Sequence, residues 1–128
     1  MVEFRVSLAG FSIEVTATFE STAAFCRDYF THGKPDLSVH ITPIDIAKER
    51  EYSKSEMELE GLPIVEFSDG YLETLALYRK IAESLSDRGV ILFHGSALMM
   101  DGRAFLFTAP SGTGKSTHSA IWRRVYGD

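Results

Sequence analysis

Hydrophobic and polar residues alternate in two short runs near the start of the chain, "FRVSL" and "FSIEVTA", separated by Ala9-Gly10. A period of two marks a half-buried strand, and a small-residue pair containing glycine marks a tight turn. The pattern predicts a hairpin with Phe4, Val6 and Leu8 on one face and Phe11, Ile13 and Val15 turned to the same core. "STAAFCRDYFTHG" predicts a short helix capped by Ser21 and ended by Gly33, with Cys26 as a small core residue. Alternation returns in "DLSVHIT", which places Leu37, Val39 and Ile41 inward and His40 on the solvated side. These N-terminal strands are expected to be antiparallel.

The middle of the chain changes character. "DIAKEREYSKSEMELEG" is dense in charges of both signs, compatible with a solvated helix, an exposed loop or an edge strand, and reads first as a mobile surface segment. "LPIVEF" reads as a short strand. "SDGYLETLALYRKIAESLSDRG" carries the clearest helical period, with Tyr71, Leu75, Tyr78, Ala82 and Leu85 on one face, Ile81 at its margin, and Glu73, Arg79, Lys80 and Glu83 outside it. Ser68 or Asp69 caps its start and Gly89 closes it. Further on, Asp101-Gly102 is a two-residue hairpin signal joining "SALMM" to "RAFLF". The fold class expected is mixed α+β, with N-terminal antiparallel strands and helices followed by a hairpin. The expected division is a β-rich region over 1–68 and a second domain beginning at 69 and running to 128.

Composition narrows the function classes. With 13 Lys and Arg against 18 Asp and Glu, the net charge is −5 over 128 residues. An acidic chain of this size is a poor match for nucleic acid or an anionic membrane surface. A single cysteine excludes an intrachain disulfide and suits a reducing, cytoplasmic compartment. "MVEFRVSLAG" lacks the basic and apolar regions of a signal peptide. The longest apolar stretch, "GVILFHGSALMM", is broken by His94 and Gly95 and is too short to span a bilayer.

The chemistry concentrates in "FLFTAPSGTGKSTHSAIW". Ala109 to Ser116 follows the pattern of a P-loop (Walker A), with alanine where the strict form has its first glycine. Gly112 and Gly114 let the backbone turn with its N–H groups pointing inward. Ser111, Gly112, Thr113 and Gly114 would cradle phosphate, Lys115 would supply a charge to the β- and γ-phosphates, and Ser116 would give a hydroxyl to Mg²⁺. Thr117 is a further hydroxyl contact. The helix that begins near Lys115 aims its positive end at the same point. A β-run before the loop and a helical run, "HSAIWRRV", after it fit that assignment. Ile121, Trp122 and Val125 read as packing residues. The cofactors expected are ATP, or another nucleoside triphosphate, and Mg²⁺.

The stretch "LFHGSALMMDGRAFLFTAPSGTGKST" resembles the core of the HPr kinase/phosphorylase family and its relatives with a phosphoenolpyruvate-carboxykinase-like fold. In that group a strand ending in His-Gly leads into a short hairpin whose second strand runs into the phosphate loop. The resemblance covers about Val90 to Asp128, and its wording is closer to bacterial relatives linked to peptide-maturation cassettes than to HPr kinase itself. It implies an incomplete kinase-like domain, a catalytic role for His94 beside the transferred phosphoryl group, and a protein serine, peptide or small molecule as acceptor.

Phosphoryl transfer also needs carboxylates for the metal and for the acceptor's proton. In the family these follow the loop's helix, where this sequence has only Gly127-Asp128. Asp69, Asp87 and Asp101 fall in turn or cap contexts. The sequence therefore reads as the N-terminal portion of a longer phosphotransferase, inactive alone and inclined to self-associate through apolar surface near Ile121, Trp122 and Val125. The alternative is a non-catalytic ATP-binding module with a regulatory or peptide-maturation role. A carboxykinase-like metabolic enzyme fits less well, because no substrate-binding arginine cluster is visible.

Overall fold

The structure, a computed structural model, describes residues 1–93, 95–110 and 112–127. The described residues form a mixed α/β architecture of four α-helices and two small sheets. They divide into two compact units, Met1–Ile91 and Leu92–Asp128. The division falls later than the boundary at 68/69 expected from the sequence. The long helix beyond residue 68 buries its apolar face in the first unit's core, so it belongs there.

In the first unit, β1 (Val2–Leu8) and β2 (Phe11–Ala17) pair antiparallel with Val6 opposite Ile13 and Phe4 opposite Val15. Ala9 and Gly10 both take positive φ, 51° and 84°, the geometry of a two-residue turn whose twist matches that of the strands. The third strand, β3 (Leu37–His40), pairs parallel to β2, with Val15 opposite Val39. This corrects the all-antiparallel expectation. Residues 18–36 cross over through α1 (Glu20–Phe25) and a single 3₁₀ turn (Arg27–Tyr29), and a crossover returns the chain in the same direction. The cap of α1 is at Phe19 rather than Ser21. Cys26 lies in the core.

The mixed-charge segment is not a mobile surface stretch. It forms α2 (Pro43–Leu59), seventeen residues opened by proline and by a reciprocal cap between Thr42 and Asp45. Only Ile46 and Glu49 are buried along it, so no apolar stripe announces it in the sequence. Ionic contacts tie it to α3 (Asp69–Ser86): Lys80 Nζ lies 2.7 Å from Asp45, Arg79 pairs with the buried Glu49, and Arg50 pairs with Asp69. The Arg79 guanidinium also lies 4.6 Å from the Tyr52 ring centre. Leu62–Phe67, expected as a strand, joins neither sheet; it runs exposed beside α2, with Leu62 N–H donating to Met57 C=O at 2.8 Å.

The largest correction concerns the face of α3. Tyr71 and Tyr78, expected inward, are 49% and 40% exposed, whereas Leu72, Glu73, Ala76, Leu77, Ile81 and Leu85 are buried. The tyrosines sit at the periphery in ring pairs with Phe67 and Phe25, where their hydroxyls stay near water. The buried face instead packs aliphatic side chains on Val6, Ile13, Val15, Ala17 and Val39. Glu73 lies within it because it has a task there. Its carboxylate accepts the N–H groups of Thr18 (2.6 Å) and Phe19 (3.0 Å) and the hydroxyl of the fully buried Thr22 (2.6 Å). Glu73 thereby joins the end of β2 and the start of α1 to α3.

Among the described residues, no helix is long and apolar enough to cross a membrane.

Candidate functional site

In the second unit, Gly95 stands just before the first strand. A Cβ built there would lie 2.7 Å from both the Phe107 carbonyl oxygen and the Phe93 ring, so only glycine allows this approach. The chain then forms β4 (Ser96–Met100) and β5 (Arg103–Phe107), an antiparallel hairpin with Ser96 opposite Phe107 and Met100 opposite Arg103. Asp101 and Gly102 turn it with φ of 51° and 71°, as their sequence pattern predicts. β5 runs into residues 108–114, and α4 (Lys115–Tyr126) follows.

Alternation along β5 and the helical period along α4 fix the two elements that hold the loop. Phe105 and Phe107 share one face of the strand, and His118, Trp122 and Tyr126 recur every fourth residue on the helix. The Trp122 ring centre lies 5.4 Å from Phe105 and 5.6 Å from Phe107; His118 lies 4.7 Å from Phe107. This aromatic stack pins strand to helix just behind the loop. It also gives His118 a packing function. Ile121 and Val125, read from sequence as packing residues, are exposed at 51% and 66%.

Within the loop, Gly112 and Gly114 take φ of 81° and 89°, a region in which side-chain-bearing residues are strained. A Cβ at either would meet nothing within 4 Å. The demand for glycine is therefore conformational, and open space lies beside the backbone. Lys115, the first residue of α4, folds back so that its ammonium donates to Ala109 C=O (2.6 Å) and Pro110 C=O (3.1 Å). Thr113 turns the same way, donating its hydroxyl to Pro110 C=O at 2.8 Å and its N–H at 3.4 Å. Ser116 and Thr117 occupy the first turn of α4 and are exposed.

The electrostatics of this helix start are unlike those of the other three. The other helices each carry an acidic residue in the first turn: Glu20 in α1, Asp45 in α2 and Asp69 in α3. α4 has none, and its N-cap Gly114 provides no side-chain acceptor. The first α-helical bond runs from His118 N–H to Gly114 C=O (2.9 Å), so by helix geometry the N–H groups of Lys115, Ser116 and Thr117 precede the intrahelical ladder. Among the described residues no side chain caps these donors, so free N–H groups, the positive end of the helix and a lysine meet at one point of an acidic chain.

The structure thus brings together Gly112, Thr113, Gly114, Lys115, Ser116 and Thr117. Ser111, named for phosphate contact, and His94, named for catalysis, lie outside the described residues. Among the described residues no group of three or more His, Cys, Asp or Glu could hold a metal ion. The donor set fits Mg²⁺ only as a hydroxyl from Ser116 beside the oxygens of a bound phosphate chain. Sequence reasoning missed the carbonyls of Ala109 and Pro110 as resting partners of Lys115, and it missed the packing that makes Gly95 necessary. No protein-family model, curated protein or solved structure matches the chain.

Proposed function

We propose that the loop between β5 and α4 binds the phosphates of a nucleoside triphosphate, ATP with Mg²⁺, and that the chain carries the phosphate-gripping part of a phosphotransferase of the HPr kinase/phosphorylase kind. The observation that carries the reading is the meeting of two left-handed glycines, the Lys115 ammonium and an uncapped, acid-free helix start within six residues. Each serves polyphosphate in a different way. The glycines leave room for phosphate against the backbone, the N–H groups of the first turn donate to its oxygens, and Lys115 offsets its charge. The Ser116 hydroxyl would hold Mg²⁺, which would offset phosphate charge beside Lys115. The transfer step and its acceptor, a protein serine, a peptide or a small molecule, rest on the resemblance of the segment from Val90 onward, in which His94 acts beside the transferred group.

Calorimetric titration of MgATP into the chain and into Lys115→Ala tests the reading. Loss of one charge-assisted contact is worth about 1.5–3 kcal/mol, roughly ten- to a hundredfold in affinity. Equal binding by the two proteins removes the assignment. His94→Ala is expected to leave nucleotide binding nearly unchanged, because its role lies at the transferred group.

A further inference from the structure

The Pro110 carbonyl sits at the centre of the loop's hydrogen bonding. It accepts the Thr113 hydroxyl (2.8 Å), the Thr113 N–H (3.4 Å) and the Lys115 ammonium (3.1 Å). Only the ammonium has to leave when an anion arrives. An acceptor abandoned by its donor opposes that departure, and one that keeps a second donor does not. The flanking Gly112 and Gly114 make the point sharper. Glycines at positive φ give the loop its path, yet they also leave it the largest backbone freedom to lose on binding. Thr113 is the residue between them, and its hydroxyl bond to Pro110 is a side-chain restraint on that span that stays in place when Lys115 departs.

We infer that Thr113 is a positioning residue for the phosphate site: its hydroxyl holds the Pro110 carbonyl, keeps the loop in its binding shape, and leaves that carbonyl with a donor when Lys115 swings from Ala109 and Pro110 to an anion. The inference rests on the phosphate-loop reading and adds to it a residue that touches no phosphate through its side chain. Thr113 is exposed and outside the buried core, so its replacement is expected to leave folding intact.

The test uses the full chain and three variants: Thr113→Val, which keeps shape and removes the hydroxyl; Thr113→Ser, which restores it; and Lys115→Ala. MgATP is titrated into each, with Trp122, the single tryptophan, as fluorescence reporter and thermal unfolding as the control. Loss of one neutral hydrogen bond that shapes the loop predicts Thr113→Val binding about three- to tenfold more weakly. Thr113→Ser is expected within about twofold of the parent by the same reasoning, with melting temperatures of both unchanged. A serine variant as weak as the valine variant, or a valine variant as strong as the parent while Lys115→Ala has lost binding, overturns the inference and leaves the phosphate site standing. Equal binding by Lys115→Ala and the parent overturns the site itself.

Discussion

Removing the Glu73 carboxylate should strongly destabilise the first unit, although Glu73 stands on a helix whose sequence places it on the polar side. Three donors converge on it: Thr18 N–H, Phe19 N–H and the Thr22 hydroxyl. Glu73 and Thr22 are both 0% exposed, so the hydroxyl has no water to turn to. Thr18 is exposed, so the two backbone donors recover part of their loss by hydration. A hydrogen bond to a charged group contributes about 1.5–3 kcal/mol; counting one fully and two in part gives about 3–5 kcal/mol for Glu73→Ala. Glu73→Gln keeps the shape and one acceptor oxygen, and about 1–2 kcal/mol is expected. Urea unfolding followed by far-ultraviolet circular dichroism reads both. With a slope of about 1 kcal/mol per molar urea, the midpoint falls by about 3 M or more for alanine and by about 1–2 M for glutamine. The pH dependence follows the same contacts. Burial pushes this carboxyl up, but the hydrogen bonds from Thr22, Phe19 and Thr18 outweigh it and hold it below its ordinary value. A depressed carboxyl contributes stability above its unfolded pKa and loses it as pH falls through the folded value, so the alanine and parent curves should converge in acid. A Glu73→Ala midpoint within about 0.5 M of the parent at neutral pH would refute the account of how α1 and α3 are joined.

Other expectations follow from single contacts. Burial raises the Asp45 carboxyl, but Lys80 and Thr42 together bring it from 3.8 to about 2. That corresponds to about 2 kcal/mol of stability at neutral pH, lost between about pH 4 and pH 2, and Asp45→Asn should remove it at pH 7 by urea titration. Leu72→Ala, at a site with no exposure, should destabilise by about 2–5 kcal/mol in the same assay. Gly114→Ala forces a side chain into φ of 89°, so MgATP affinity should fall while the first unit's melting is unchanged; undiminished affinity would mean that the left-handed turn does not shape the site.

Much of this fold is legible in the sequence where the signal is local. Both hairpins are, because Ala9-Gly10 and Asp101-Gly102 lie between runs of period two and take the positive φ that such turns demand. The loop is legible because the spacing of Gly112, Gly114 and Lys115 states a backbone requirement directly. What escapes is set by partners distant in sequence. α2 has no apolar stripe; its helix comes from the cap at Thr42 and Asp45 and from cations on α3. The inward face of α3 is hidden by Glu73, whose partners lie more than fifty residues away. The parallel pairing of β3 depends on where a crossover ends, which no local pattern encodes. At the site, the resting place of Lys115 depends on carbonyls, and carbonyls are the same in every residue.

The loop from Pro110 to Thr117 is proposed to receive phosphate, and the backbone amides of the labelled protein report on that binding residue by residue. Adding MgATP should move the amide signals of Gly112, Thr113, Gly114, Lys115 and Ser116 in a saturable way, leave those of residues 1–91 in place, and need roughly ten- to a hundredfold more MgATP for the same movement in Lys115→Ala. Saturable shifts confined to residues 1–91, or no shifts at millimolar MgATP, would contradict it.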